Sequence, residues 1–148
     1  MISFETGVRI KRPIEEVFAF VSDPIQFPVW NSAVQTVNGT PGGTGELSST
    51  YSMERELPTG RVENGLKVFA RKRPSEFGIS TTTGPTPFVY HYEFASDAAD
   101  TIVHLEATVA LPGVAGVLGP LASRGIRRGV DANFADLKRT LEGSARSA

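Results

Sequence analysis

Apolar and polar residues alternate at the start of the chain, where Ile2, Phe4, Val8 and Ile10 fall between Ser3, Glu5, Arg9 and Lys11. A period of two is that of a half-buried strand, so residues 2–11 are predicted as the first strand. Pro13 then suits a first helical position, Glu15 and Glu16 complement the positive end of a helix, and Val17, Phe18 and Val21 give it an apolar face. A short helix over about 13–22 follows from these residues. Asp23-Pro24 repeats the cap-and-proline start and predicts a second short helix carrying Phe27 towards Trp30.

The period then returns to two, and strands are predicted at 32–38, 46–57, 61–72, 76–83, 87–95 and 101–111. Short links such as Pro58-Thr59-Gly60, Arg73-Pro74-Ser75 and Gly84-Pro85-Thr86 force neighbouring strands to run antiparallel. The last segment, about 117–142, has a helical period, with Ile126, Val130, Phe134, Leu137 and Leu141 in one apolar stripe. Pro120 is expected to start or kink this helix, because an interior proline removes a hydrogen bond and crowds the preceding turn. The expected organisation is a single domain over 1–142 and a frayed tail over 143–148.

Composition narrows the chemistry. The 148 residues suffice for one ordinary domain. Fifteen Lys and Arg against sixteen Asp and Glu give a net charge of -1, which argues against a nucleic-acid partner. The lack of cysteine excludes disulfides, thiolate metal sites and cysteine nucleophiles. With no secretion leader at Met1–Glu5 and no run long enough to span a bilayer, a cytoplasmic location without integral membrane association is expected. Asn38-Gly39-Thr40 is read as a turn after a strand. Gly42-Gly43-Thr44-Gly45 lacks the lysine-serine ending of a phosphate loop, and no GxSxG, HExxH or dinucleotide fingerprint occurs. Neither a cofactor nor a metal is expected.

Two stretches carry a family likeness. Val17-Phe18-Ala19-Phe20-Val21-Ser22-Asp23-Pro24, followed by Phe27 and Trp30, is one; Gly119-Pro120-Leu121 with Arg127-Arg128, Phe134, Leu137-Lys138 and Leu141-Glu142 is the other. Together with the element order they resemble the START-like (Bet v 1-like) superfamily, of the polyketide cyclase/dehydrase and lipid-transport type. The resemblance implies an α+β helix-grip fold: a curved seven-stranded antiparallel sheet wrapped around a long C-terminal helix, with two short helices between strands 1 and 2. Members bind lipids, quinones, hormones or polyketides, and some cyclise or dehydrate polyketide chains. They share no catalytic signature, so fold alone does not settle function.

Strand parity predicts which side chains face the interior, since a one-residue slip would reverse a whole set. The inward sets are Leu47, Ser49, Tyr51, Met53 and Arg55; Val62, Asn64, Leu66, Val68 and Ala70; Phe77, Ile79, Thr81 and Thr83. The next two strands add Phe88, Tyr90, Tyr92 and Phe94, then Val103, Leu105, Ala107 and Val109. From these sets Tyr51, Met53, Arg55, Asn64, Leu66, Ile79, Thr81, Thr83, Phe88, Tyr90, Tyr92, Leu105 and Ala107 are taken as ligand-binding candidates. Leu118, Ala122 and Gly125 join them from the long helix. The polar members Arg55, Asn64, Thr81 and Thr83 gather at one end, the expected mouth. A mostly apolar cavity with a few orienting polar groups is what a small-molecule site requires.

Several residues carry two readings. Arg55 either binds a carboxylate or enolate-like oxygen or bends into solvent. The hydroxyls of Tyr51, Tyr90 and Tyr92 either meet a ligand or are satisfied locally. Trp30 and Phe27 are expected to brace the long helix near Phe134 and Leu137. Gly125 and Gly129 either leave room for ligand or a bend, or allow close helix–sheet packing. Parity sets His91 opposite Glu106 and Glu93 opposite His104 on the convex face, as ordinary sheet pairs. The leading expectation is a carrier or sensor of a small hydrophobic or amphipathic molecule such as a lipid, quinone or polyketide, working as monomer or homodimer. The alternatives are an aromatase/cyclase or dehydratase using Arg55 with Tyr90 or Tyr92 as catalytic candidates, and a protein-interaction domain.

Overall fold

The chain leaves the first strand along one edge of a sheet and re-enters it at the other. A computed structural model describes residues 2–39, 46–57, 60–110 and 119–144, without the side chains of 119–123 and 144. The strands are β1 (Ile2–Ile10), β2 (Val34–Gly39), β3 (Thr50–Leu57), β4 (Gly60–Lys72), β5 (Glu76–Thr83), β6 (Phe88–Asp97) and β7 (Asp100–Val109). They form one antiparallel sheet in the order β1-β7-β6-β5-β4-β3-β2. The passage between the two edge strands is made by α1 (Ile14–Val21), a 3-10 turn over Pro24–Gln26 and α2 (Phe27–Trp30). Asp23 caps the 3-10 turn, its carboxylate accepting from the Ile25 N–H at 3.2 Å.

The long helix α3 (Gly119–Ser144) lies on the concave side and buries Val130, Phe134, Leu137 and Leu141, four of the five residues of the predicted stripe. Polar latches fix it to β1. Thr6 donates to Asp131, the Lys138 ammonium donates to the Arg9 carbonyl at 2.8 Å, and Glu142 accepts from the Lys11 N–H at 2.9 Å. Among the described residues no helix is long and apolar enough to cross a membrane.

The helix-grip expectation holds, and the departures from it are local. Pro13 stands just before α1 instead of opening it, with extended φ and ψ. β3 starts at Thr50 rather than 46, because Ser48 takes a positive φ of 69° and Ser49 turns its hydroxyl onto the Glu46 carbonyl. Leu47, predicted inward, is therefore 59% exposed in that turn. The helix α3 continues through Gly143 and Ser144, which were assigned to the tail; residues 145–148 lie outside the described residues.

Register is as expected where the ladder is regular: Arg55 faces Val62, Met53 faces Asn64, His91 faces Glu106 and Glu93 faces His104. Parity fails where the β4–β5 ladder bulges. One irregularity lies between the Gly65–Thr83 and Leu66–Thr81 pairs, so Thr83 shares the outward side of Gly65 and is exposed. A second lies between the Val68–Ile79 and Ala70–Gly78 pairs. Ala70 thus turns convex beside Gly78, and Arg71 pairs with buried Phe77, its guanidinium lying over the Phe18 ring at 5.5 Å.

Candidate functional site

The concave face is packed solid at one end and open at the other. At the solid end Phe18 meets Phe94 edge-on at 5.3 Å, and Phe77, Val103 and Leu137 are fully buried. At the open end lies a cavity of about 170 Å³. The sheet contributes Met53 and Arg55 from β3 and Phe88, Tyr90 and Tyr92 from β6. Phe27, Trp30, Asn31, Ala33 and Val34 close it from α2 and the start of β2, and Ile126, Gly129, Val130 and Asn133 from α3.

A chain of ring contacts runs round this wall. Trp30 stacks on Phe134 at 6.4 Å, Phe134 meets Tyr92 at 6.3 Å, Tyr92 meets Tyr90 edge-on at 6.3 Å, and Tyr90 meets Phe88 at 4.5 Å. Arg55 ends the chain, its guanidinium 5.4 Å from the centre of the Phe88 ring. Trp30 and Phe27 thus brace α3 at Phe134, as expected, and are cavity wall as well.

Arg55 does not bend into solvent. Its Nε and Nη2 donate to Asn64 Oδ1 at 3.0 and 2.8 Å, and Nη2 also donates to the Thr86 hydroxyl at 2.6 Å. Asn64 is fully buried, and its amide donates in turn to the carbonyls of Thr83 at 3.1 Å and Pro85 at 2.8 Å. The loop after β5 is drawn in so tightly that a Cβ on Gly84, which has φ +94°, would meet the Glu63 carbonyl at 2.3 Å. This clamp holds the guanidinium at the cavity while leaving Nη1 without a partner among the described residues.

Electrostatics at this end are one-sided. Burial pulls the Arg55 pKa down from its usual value, with the neighbouring Tyr90 opposing the shift. Burial pushes the Tyr90 phenol up, offset in part by the Arg55 cation. Burial also raises Tyr92, and the adjacent Tyr90 adds to the rise. Both phenols are therefore neutral near pH 7 and available as donors.

The remaining candidates separate from the cavity for physical reasons. Asn64 acts behind Arg55, while Leu66, Ile79, Leu105 and Ala107 are buried in the packed interior and do not line the cavity. Tyr51 is buried with its ring over Gly39, where a Cβ would lie 2.7 Å from it, and its hydroxyl is 3.5 Å from that of Ser49. Thr81 is engaged by the frayed start of β6, accepting from the Phe88 N–H at 3.1 Å, and Thr83 accepts from the Gly65 N–H at 3.0 Å. Gly125 is exposed and outside the lining, and a Cβ there or at Gly129 would touch no described residue within 4 Å, so close packing on the described sheet explains neither glycine. Leu118 lies outside the described residues, as does the side chain of Ala122.

Parity missed the α2–β2 and α3 contributions, because it speaks only for strands. The sequence marked Ile126 and Val130 as stripe residues, Phe27 and Trp30 as braces and Gly129 as a helix-weakening residue, without assigning any of them to the site. The histidines stay on the convex face. His91 stacks with Phe69 and lies 3.5 Å from Glu76 and 3.8 Å from Glu93, whereas His104 lies 3.5 Å from Glu5 of β1. The close carboxylate neighbours are thus not the predicted cross-strand partners.

Known proteins with this architecture share little sequence with it. None of the curated proteins matches the chain. The protein TTHA0849 from Thermus thermophilus superposes with a TM-score of 0.80 at 14% identity, over 97% of this chain and 99% of that one. A START superfamily protein from Mycobacterium smegmatis gives 0.75 at 13% identity, over 95% and 97%. The di-domain ARO/CYC StfQ of the steffimycin biosynthetic pathway also gives 0.75 at 13% identity, over 97% of this chain and 51% of that one. At such identities these likenesses speak for the fold alone. The family model described as polyketide cyclase / dehydrase and lipid transport matches residues 1–142, and the chain belongs to that family.

Proposed function

We propose that the protein binds a small hydrophobic or aromatic molecule in the cavity between α3 and the β3–β6 face, as a carrier or sensor. The observation that carries this reading is the composition of the wall. Its rings and aliphatic side chains supply buried area, Arg55, Tyr90 and Tyr92 supply orientation, and among the described lining residues there is no carboxylate or imidazole to serve as a base. Trp30 is the sole tryptophan and stands in that wall, so its emission reports occupancy directly. Titration with a panel of quinones, phenols and short acyl lipids is expected to change Trp30 fluorescence and raise the melting temperature. A panel that moves neither quantity overturns the proposal.

A cyclase or dehydratase role is the second reading, favoured by one feature: a neutral Tyr90 phenol beside the Arg55 cation pairs a proton donor with an oxyanion partner. Arg55→Ala is a poor test because it strips Asn64 of its partner. Tyr90→Phe leaves the clamp intact and is expected to cut turnover of a polyketide mimic; unchanged turnover removes the role.

A further inference from the structure

The chain anchors its arginines in two different ways. Arg9 contacts both Asp97 and Asp100, and Arg12 pairs with Glu16 at 2.6 Å, so there the counter-charge is internal. Arg55 is anchored without a carboxylate: its acceptors are the amide oxygen of Asn64, the Thr86 hydroxyl and the carbonyls of Pro85 and Thr86. No ion pair among the described residues includes it.

Arg55 is also the only charged side chain among the described lining residues of the cavity. Its guanidinium lies 5.4 Å from the centre of the Phe88 ring, itself part of the wall. The clamp engages Nε and Nη2, and the two N–H bonds of Nη1 have no acceptor among the described residues. A cation drawn partly out of water beside neutral groups loses hydration and gains no opposite charge in return. Burial accordingly lowers the Arg55 pKa, and the group that offsets it is the Tyr90 phenol, neutral near pH 7. An anion seated on the guanidinium would supply the missing charge through a charge-assisted hydrogen bond. Tyr90 and Tyr92 line the same cavity, but a phenol donates to a carboxylate and to an alcohol alike. A preference for charge therefore falls to Arg55.

We infer that the cavity takes an organic acid in its anionic form, with the carboxylate on Arg55, and that Asn64 is the positioning residue that holds the guanidinium without neutralising it. The inference rests on the cavity being a ligand site, as proposed above. Asn64 suits this role because it is fully buried and fixed from both ends. Its oxygen accepts from Arg55, and its NH2 donates to the Thr83 and Pro85 carbonyls. An aspartate there would meet the same two N–H groups and cancel the charge.

Two matched pairs of probes isolate the charge: hydrocinnamate with hydrocinnamyl alcohol, and hexanoate with hexanol, each titrated calorimetrically at neutral pH. The acid is expected to bind about tenfold tighter than its alcohol, the margin of a charge-assisted hydrogen bond over a neutral one. Asn64→Asp keeps the acceptor for Nε and Nη2 and adds the counter-charge, while losing the donor to Thr83 and Pro85. Thr86→Asp adds the same counter-charge from the loop between β5 and β6, at a φ of 50° that aspartate tolerates better than a β-branched residue. It covers the case in which Asn64→Asp does not fold. In each folded variant the advantage of the acid should shrink by about threefold or more, with the Kd of the alcohol within about twofold of wild type. A purely structural role for the clamp would weaken acid and alcohol together.

An advantage below about fivefold in both pairs overturns the inference, as does a folded variant whose advantage shrinks by less than about threefold. If no acid or alcohol probe binds while quinones or phenols do, the organic-acid assignment falls and the broader proposal stands. If nothing binds at all, both fall.

Discussion

The two ends of the concave face share one sheet and one helix, yet one end is solid and the other hollow. Along β6 the inward residues Phe88, Tyr90, Tyr92 and Phe94 are aromatic throughout, so the sheet does not make the difference. The helix does. Towards its C-terminal end it buries Phe134, Leu137 and Leu141, whereas the turns before them bring Ile126, Gly129, Val130 and Asn133 to the cavity. The volume for a ligand is thus made mainly by what α3 omits. Evolution of a different ligand size would be expected through a few helix positions with the sheet left alone.

Substitutions at the two ends should break or sharpen this contrast. The largest effect belongs to the solid end. Phe18→Ala, at a fully buried ring packed on Phe94, is expected to cost about 3–5 kcal/mol in denaturant unfolding. A loss below about 1 kcal/mol would mean that this end is less well packed than its burial indicates. Next comes the clamp that holds Arg55 at the cavity. Asn64→Ala removes the acceptor for Arg55 and the donor to the Thr83 and Pro85 carbonyls, and should cost about 1–3 kcal/mol while also weakening ligand binding.

At the hollow end the sign reverses. Gly129→Ala meets no atom of a described residue within 4 Å of its new Cβ and should stabilise the fold by up to about 1 kcal/mol through helix propensity, while narrowing the cavity and lowering affinity for a bound ring. Gly125→Ala is the control: the same gain in stability with affinity unchanged, because Gly125 lies outside the lining. Equal affinity losses in both variants would refute the view that omission on α3 shapes the site.

The smallest effect at neutral pH is expected for Tyr92→Phe, since its hydroxyl makes no hydrogen bond to a described residue. Its consequence appears in alkali. Because burial raises the folded pKa of Tyr92, the native state keeps a proton that the unfolded chain releases above about pH 10, and stability falls as pH rises through that window. Thermal melts from pH 8 to 11 should show a shallower alkaline decline in the variant.

What was legible in the amino-acid order follows from how local each rule is. Alternation and turn chemistry are short-range, so seven strands, two short helices and a long helix could be read, and regular ladders carried the register as far as the His91–Glu106 pair. Within the candidate site, Met53, Arg55, Phe88, Tyr90 and Tyr92 were reached by parity alone. Thr83 and Ala70 were misassigned because each bulge adds a residue to one strand, and the need for it lies in the twist of the neighbouring strand.

The sequence by itself determined the architecture and the apolar character of its concave face. Only the tertiary structure decided that Arg55 is pinned by Asn64, that the Trp30 N–H meets no acceptor among the described residues, and that Gly129 lines the cavity while Gly125, one turn away, does not. The physical reason is the same in each case. Periodicity fixes the side of an element a residue occupies, but the rotation and depth at which α3 seats against the sheet are set by packing contacts distant in sequence.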